Sequence, residues 1–386
     1  MKPIRWGILG TGSIAKAFAD ALQETEGELI AVASNSEVRA KEFSKPYGSR
    51  GIEGYENLIN LPDIDAIYVA TPHTSHFELS AACLRQKKAV LCEKPMTINA
   101  TETMALIDLS RKNKTLLMEA FMYKIHPQTE KIMGIIQERL KSPLEIKAEF
   151  CFSVDVPETH RLVNRDLGGG SILDIGCYPI SIARHAVGAV NGENFKNPIS
   201  LKGTGELNSQ NIDLNASATL EFEDGSCAEV KSATNLNTES EVEISDGNLK
   251  IIINQPWHCG EFTERKSHIK IIDNSGDEEI LNISAENGLY ALEIDHFSEN
   301  YRRRNIESSL IPHNDSHGNM ITLDTWRREL KVIYDDDKGE VRRVPIVPKE
   351  KEDESLPSLR IPGIDKELSR VVFGCDNQSD TNHAYA

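Results

Sequence analysis

A glycine loop close to the N-terminus constrains the fold of this chain more than any other feature. The loop Gly10-Thr11-Gly12-Ser13-Ile14-Ala15 follows an apolar run at residues 4–9 and precedes an amphipathic stretch that ends at Leu22. In a strand–loop–helix unit of this kind the first glycine permits the tight turn. The second lets backbone N–H groups approach a pyrophosphate, and a small residue lets helix and strand pack closely. The pattern predicts dinucleotide binding by Gly10, Thr11, Gly12, Ser13 and Ile14. A turn whose glycines serve geometry alone is the alternative.

Three more continuous apolar runs follow the loop, at residues 29–33, 66–70 and 89–92, with helix-like stretches between them. Continuous apolar strands that alternate with helices are typical of a parallel sheet covered on both faces. The sequence therefore predicts an α/β fold whose first domain, residues 1–124, is a Rossmann-type doubly wound parallel sheet.

The pattern changes after about residue 145, where strand-like segments alternate apolar and polar residues. Residues 223–226 and 246–248 carry Asp-Gly pairs, which favour the tight turn of a hairpin. Helix-like stretches follow at about residues 290–304 and 319–332. Together these features predict an α+β domain at residues 125–335 with a large, mostly antiparallel open sheet.

Composition excludes several classes of function. The chain has 386 residues, with 43 Lys and Arg against 60 Asp and Glu, and its net charge of -17 argues against a nucleic-acid partner. No apolar window is long enough for a membrane helix. The seven cysteines are scattered, and no His, Cys or carboxylate cluster has metal-ligand spacing, so we expect reduced thiols and no metal. The first residues lead directly into a strand, and a cytoplasmic location is expected.

The end of the second strand bears on the choice of cofactor. It reads Ser34-Asn35-Ser36, without the carboxylate that usually binds the ribose hydroxyls of NAD, and Arg39 and Lys41 follow. NADP is favoured, and NAD remains open because no arginine stands at the strand end itself.

Two segments carry side chains suited to proton transfer. Glu93-Lys94-Pro95 follows a parallel strand, at the edge where open α/β sheets bind ligands. Asp174 and Tyr178 follow a glycine break and, being four residues apart, are expected to share one helical face. A phenol and a carboxylate directed at a lysine suit alcohol/carbonyl chemistry. The alternatives are a surface lysine beside a turn proline and a buried tyrosine bonded to a helix-start aspartate.

Taken together, the motifs resemble the Gfo/Idh/MocA family, which includes glucose-fructose oxidoreductase and inositol dehydrogenase. The resemblance covers residues 3–335. It is carried by residues 10–15, 70–73 with His76, 93–95, 119–123 with 126–128, 168–178 and 318–327. Many members carry histidine at the position of Tyr178. The tyrosine resembles the branch of dimeric dihydrodiol dehydrogenases and NADP-dependent D-xylose dehydrogenases, in which Asn35 departs from a usual arginine.

The resemblance implies an NAD(P)-dependent dehydrogenase or reductase acting on a sugar, polyol or dihydrodiol. Tyr178 would be the general acid/base and Lys94 would lower its pKa, while Asp174 would orient the substrate. Contacts to the cofactor and substrate are also implied. Those to the cofactor are at Ser34, Asn35, Arg39, Thr71, Pro72, His73, His76, Glu93 and Lys94, and those to the substrate at Tyr123, His126 and Asp174. A homodimer or higher oligomer formed through the open sheet is also implied. The alternative from another class is a non-catalytic dinucleotide sensor on the same fold.

The last part of the sequence differs from the rest. Residues 336–363 are charged and punctuated by proline, which predicts a linker. The segment 364–386 resembles the opening strand of aldo-keto reductases. This suggests the truncated start of a second enzyme domain, with residues from about 340 onward dispensable for the first enzyme. A short tail docked on the first enzyme is the alternative.

Overall fold

A computed structural model of the chain describes residues 2–260 and 266–338, and the backbone of 358–360 and 367–369. Contacts divide the chain into one unit of Met1–Tyr334 and a second of Asp335–Ala386. In the second unit the strands Ser358–Arg360 and Glu367–Ser369 pair antiparallel. The predicted linker and the predicted start of an aldo-keto reductase domain lie almost wholly outside the described residues.

The N-terminal part of the first unit is a parallel six-stranded sheet in the order β3-β2-β1-β4-β5-β6. Its strands are β1 (Arg5–Leu9), β2 (Glu28–Ser34), β3 (Arg50–Glu53), β4 (Ala66–Val69), β5 (Ala89–Glu93) and β6 (Leu117–Ala120). Its helices are α1 (Ser13–Leu22), α2 (Glu37–Ser44), α3 (Tyr55–Ile59), α4 (His76–Arg85) and α5 (Ala100–Asn113). The predicted doubly wound sheet is confirmed. The strand order reverses between β1 and β4, and a ligand crevice forms at the carboxyl ends of strands at such a point.

The remainder of the first unit is built on an eight-stranded sheet in the order β14-β13-β12-β11-β7-β10-β9-β8. The strands are β7 (Glu145–Cys151), β8 (Ser200–Leu207), β9 (Asp213–Glu221), β10 (Cys227–Ala233), β11 (Val242–Ser245), β12 (Leu249–Ile253), β13 (Lys266–Asp273) and β14 (Glu278–Ser284). Strands β7 and β10 pair parallel and the other neighbours pair antiparallel, as predicted. The helices are α6 (Pro127–Arg139), α7 (Cys177–Val190), α8 (Leu289–Arg302) and α9 (His313–Glu329). None of the described helices has the length and apolar character needed to cross a membrane.

Two helical boundaries differ from the sequence prediction. Helix α9 begins at His313 after Pro312, whereas the sequence suggested a start near Asn319. Gly318 lies inside the helix, where a Cβ would approach Arg184 Nη2 to 2.4 Å, so this glycine permits close packing and does not break the helix. Ile172–Gly176 form a π-helical turn before α7, so Asp174 and Tyr178 lie on a π-helical turn and the following α-helix, and not on the single regular helix that the sequence suggested.

One face of the eight-stranded sheet is covered and the other carries charge. Helix α7 packs against β7 and β10, where Ile146, Ala148 and Val230 are buried. The intervening residues point away from that helix and form cross-strand pairs of opposite charge, among them Lys147 with Glu243 and Glu149 with Lys231. We call this second surface the open sheet face.

Candidate active site

The glycine loop lies at the carboxyl end of β1 with the geometry that a phosphate site requires. Gly10 has a φ of +114°, and a Cβ there would lie 2.4 Å from the carbonyl oxygen of Ala70. A Cβ on Gly12 would meet nothing within 4 Å, so the space beside the start of α1 is open. Helix α1 has no capping side chain and no acidic residue in its first turn. Its first N–H groups, from Ser13 and Ile14, are thus suited to bind an anion such as a pyrophosphate.

The end of β2 is free of carboxylates, as the sequence indicated. Ser34 is buried and Asn35 is exposed. Ser36 caps α2 by accepting a hydrogen bond from the Arg39 N–H over 3.4 Å, and the Arg39 side chain is exposed. This surface places no negative charge where a ribose 2′-phosphate would bind.

Two histidines after β4 hold neighbouring loops. The ring of His76 lies 2.8 Å from the carbonyl oxygen of Thr71 and 2.9 Å from that of Pro95. His73 Nδ1 lies 2.9 Å from the carbonyl oxygen of Gly168. Burial lowers the pKa of both rings, that of His73 to about 3, so the His73 ring is neutral at physiological pH. Their contacts fix the chain around the strand ends.

Glu93 and Lys94 follow one another at the end of β5 and have different partners. Glu93 accepts from the hydroxyl of Tyr68 and, over 3.2 Å, from the backbone N–H of Lys94. Burial raises the pKa of Glu93. The Lys94 ammonium donates to the carbonyl oxygen of Asp174 and lies 3.6 Å from Asp174 Oδ1. It is also 5.3 Å from the ring centroid of Tyr178. The structure therefore brings Lys94, Asp174 and Tyr178 together.

Arg161 completes the charged cluster around Asp174. Its Nη1 donates to Asp174 Oδ1 over 2.8 Å, while about half of the arginine side chain (49%) is exposed. Burial would raise the pKa of Asp174, but Lys94 and Arg161 outweigh it and hold that pKa well below its usual range. Burial opposes the charge of Lys94, yet Asp174 keeps the pKa of the ammonium above its usual value. All three groups are ionised at neutral pH.

Tyr178 stands in an aromatic cluster. Its ring centroid lies 5.2 Å from that of Phe121, 5.3 Å from that of Phe150 and 5.5 Å from that of Trp257. Burial raises the pKa of Tyr178 well above 10. The phenol therefore keeps its proton at neutral pH, whereas the sequence led us to expect that Lys94 would lower this pKa. Within the part of the chain that the structure describes, the Tyr178 hydroxyl has no hydrogen-bond partner, which leaves it free for a substrate oxygen.

The structure places the other expected site residues deeper in the fold. Tyr123 is fully buried, and its hydroxyl donates to Ser181 Oγ over 2.8 Å. His126 Nδ1 accepts from the Gln128 N–H over 3.1 Å and so caps α6. Arg161, by contrast, was not predicted, since a single arginine in a long loop has no distinguishing spacing. The described residues contain no group of three or more His, Cys, Asp or Glu placed to hold a metal ion.

Comparison with known proteins identifies the family. A model described as an oxidoreductase family with an NAD-binding Rossmann fold matches residues 4–121. The Gfo/Idh/MocA C-terminal domain model matches residues 135–250. D-xylose 1-dehydrogenase (NADP(+)) 2 of Haloferax volcanii is 32% identical over 249 residues, which cover 64% of this chain and 74% of that enzyme. The chain belongs to the Gfo/Idh/MocA family of oxidoreductases.

Two other known proteins match over most of their length. Trans-1,2-dihydrobenzene-1,2-diol dehydrogenase of Mus musculus is 27% identical over 343 residues, covering 87% of this chain and 99% of that enzyme. The crystal structure of a 3-ketoreductase from Actinomadura kijaniata with NADP and TDP-benzene superposes with a TM-score of 0.75 and 26% identity, covering 85% of this chain and 98% of that one. As a member of the Gfo/Idh/MocA family, this protein is an NAD(P)-dependent oxidoreductase acting on CH–OH groups, as the sequence predicted.

Proposed function

We propose that the protein uses NADP to interconvert a hydroxyl and a carbonyl group on a sugar, polyol or dihydrodiol, with Tyr178 as the general acid/base. The observation that carries this proposal is the meeting of Lys94, Asp174 and Tyr178 at the carboxyl end of β5. This is the edge of the parallel sheet that also bears the glycine loop. NADP is supported by the relatives named as NADP(+)-dependent and by the carboxylate-free end of β2.

The residues around the glycine loop fit a dinucleotide. The open space beside Gly12 and the uncapped start of α1 would hold the pyrophosphate. Asn35 and Arg39 would lie beside the ribose phosphate, where an arginine side chain can donate several hydrogen bonds. When bound, NADP supplies or accepts the hydride, and the protein provides orientation and a proton.

Tyr178 is poised to act as an acid. Because its pKa lies well above 10, the phenol is protonated at neutral pH and can donate to a carbonyl oxygen during reduction. The phenolate that forms is stabilised by the Lys94 ammonium, 5.3 Å from the ring centroid. Asp174 holds that ammonium through its backbone carbonyl oxygen and its carboxylate. In the oxidation direction the phenol must first lose its proton, so oxidation should speed up as the pH rises.

The surroundings of Tyr178 favour a ring-shaped substrate bearing hydroxyl groups. Phe150 and Trp257 stack with an interplanar angle of 19°. Phe150 also contacts the ring of His258, a residue at the surface of the protein. Aromatic faces pack against the apolar faces of sugars and of cyclic diols. The exposed part of Arg161 adds N–H donors that can bind substrate hydroxyls.

The proposal is tested by removing single hydroxyl groups from the aromatic cluster. We expect Tyr178→Phe to lower kcat for carbonyl reduction by about 10²–10⁴-fold, the usual contribution of a general acid. Tyr123→Phe is the matched control, because that hydroxyl is fully buried in the same cluster and is already bonded to Ser181. A panel of aldoses, polyols and dihydrodiols with NADP, and of the corresponding carbonyl compounds with NADPH, would be followed by nicotinamide absorbance. Equal activity in Tyr178→Phe and wild type on a substrate that turns over would refute the role of Tyr178.

We also propose that two copies of the chain associate through the open sheet face. Its lining includes Lys147, Glu149, Lys202, Glu229, Lys231 and Glu243. Lysines and glutamates alternate there both along strands and across them. A surface with both signs interspersed can match itself under a two-fold rotation, because each cation can meet an anion of the second copy.

A further inference from the structure

A buried carboxylate from β9 holds the start of the segment that carries the site. Asp213 is fully buried. Its Oδ2 accepts from the backbone N–H of Ile172 over 2.6 Å and from Ser171 Oγ over 2.9 Å. Ser171 Oγ also lies 3.0 Å from Ser232 Oγ. The π-helical turn has no side-chain cap within its own sequence. Asp213 therefore supplies, from a distant strand, the acceptor that a capping residue normally provides.

The glycines before this turn allow side chains from other elements to lie close to its backbone. Gly170 has a φ of +122°, and a Cβ there would lie 2.5 Å from Asp213 Oδ1 and 3.1 Å from the Tyr334 hydroxyl. That hydroxyl donates to the carbonyl oxygen of Gly169. Two polar side chains from other parts of the unit thus contact the glycine segment directly, and no larger residue at position 170 could accommodate them.

The turn that Asp213 holds leads directly to the proposed catalytic groups. Asp174 follows Ile172 by two residues, and its carbonyl oxygen accepts from Lys94. Tyr178 follows in the first turn of α7. The geometry of the π-helical turn therefore determines the positions of the Asp174 and Tyr178 side chains relative to Lys94. We propose that Asp213 is a positioning residue for the reaction, fixing the turn that places Asp174 and Tyr178 at Lys94. This inference rests on the function proposed above.

Ionisation of Asp213 costs the folded state free energy. Burial raises the pKa of Asp213 to about 6, while the Ile172 N–H, the Ser171 hydroxyl and, more weakly, the Arg327 guanidinium oppose the shift. Tyr334 and Ser232 are the other polar groups around it. Because the folded-state pKa is raised, ionised Asp213 opposes folding at any pH above about 6. Replacing it with neutral asparagine should therefore not destabilise the protein at pH 8.

The test compares Asp213→Asn with Asp65→Asn, both in the full chain. Asp65 also accepts a backbone N–H, that of Arg5 at 3.1 Å, but in the first sheet and in an ion pair with the Arg5 guanidinium. For Asp213→Asn we expect kcat to fall by about 10-fold or more with the Kd of NADPH changed less than about twofold, because only the catalytic geometry is disturbed. Its melting temperature at pH 8 should equal or exceed that of wild type. Its amide hydrogen exchange should accelerate at residues 172–178. Asp65→Asn should lower the melting temperature and keep kcat.

Three results would overturn the proposal. They are an unchanged kcat in Asp213→Asn, unchanged hydrogen exchange at residues 172–178, or a joint loss of kcat, melting temperature and NADPH affinity that marks a general structural role. If Asp213→Asn does not fold, Ser171→Ala is judged by the same measurements, since it removes one of the two donors to Asp213. Failure of the proposed function is recognised separately. It would show as full activity in Tyr178→Phe, and this result does not depend on the hydrogen exchange measured at residues 172–178.

Discussion

Glu119 provides a quantitative test of the electrostatics of the buried core. It lies on β6 and is 2% exposed. Its Oε1 accepts from the Met96 N–H over 2.9 Å. Burial raises the pKa of Glu119 from its ordinary 4.5 to about 7, although Ser316, the Met96 N–H and Lys124 oppose the shift. A difference of this size between folded and unfolded states corresponds to about 3 kcal/mol in the free energy of unfolding.

The direction of the pKa shift decides whether Glu119 stabilises the protein at low or at high pH. The folded state binds the proton more tightly than the unfolded state, so the contribution of Glu119 to stability is fully present below pH 4.5 and is lost as the pH rises through about 7. Glutamine has a similar shape and cannot ionise. The difference in the free energy of unfolding between Glu119→Gln and wild type should therefore increase by about 3 kcal/mol, in favour of the variant, from pH 4.5 to pH 8.

The measurement is urea unfolding followed by tryptophan fluorescence, repeated for both proteins at half-unit pH steps. Glu78→Gln is the control, since Glu78 lies on the exposed side of α4 and its replacement changes a glutamate without altering a buried group. A difference between Glu119→Gln and wild type that is flat, or that falls with rising pH, would refute the reasoning from burial.

Three further predictions concern the site and the assembly. Asn35→Asp should lower kcat/KM with NADPH by at least about 10-fold relative to NADH, because a carboxylate at the end of β2 would repel the 2′-phosphate; an unchanged preference would contradict this placement. The kcat/KM for carbonyl reduction should stay level between about pH 7 and pH 9, because burial keeps Tyr178 protonated; a decline with a midpoint near neutrality would count against it. Lys231→Glu places like charges opposite Glu149 and should convert a dimer to a monomer in light scattering, whereas a monomeric wild type at micromolar concentration would rule out the proposed association.

The sequence predicted best the elements whose residues form continuous patterns. Strands β1, β2, β4 and β5 were found because each contains a run of consecutive apolar residues. Strand β3, with the sequence Arg-Gly-Ile-Glu, was missed because it lies at the sheet edge and is only half-buried. Strand β6 was missed because its four residues include Glu119. Short or polar strands depend on pairing with their neighbours, which a single sequence does not display.

The site residues likewise divide into those that a sequence motif marks and those that only the folded structure brings in. Lys94, Asp174 and Tyr178 stand in recognisable motifs, and the edge rule for parallel sheets suggested that they meet. Arg161 contacts Asp174 from a loop, and Asp213 contacts the turn before Tyr178 from a distant strand; both are tertiary contacts that no local pattern displays. The pKa of Tyr178 was also beyond sequence reasoning. It depends on how deeply the aromatic cluster buries the phenol.

The contact between Tyr334 and Gly169 has a consequence for biosynthesis. Tyr334 is the last residue of the first unit, and its hydroxyl donates to a carbonyl oxygen 165 positions earlier in the chain. During translation the glycine segment leaves the ribosome long before that partner exists, because synthesis proceeds at only about 5–20 residues per second. The π-helical turn therefore acquires its full set of contacts only after residue 334 has emerged, so nascent chains stopped before that point should lack the contact that holds the segment before Asp174 and Tyr178.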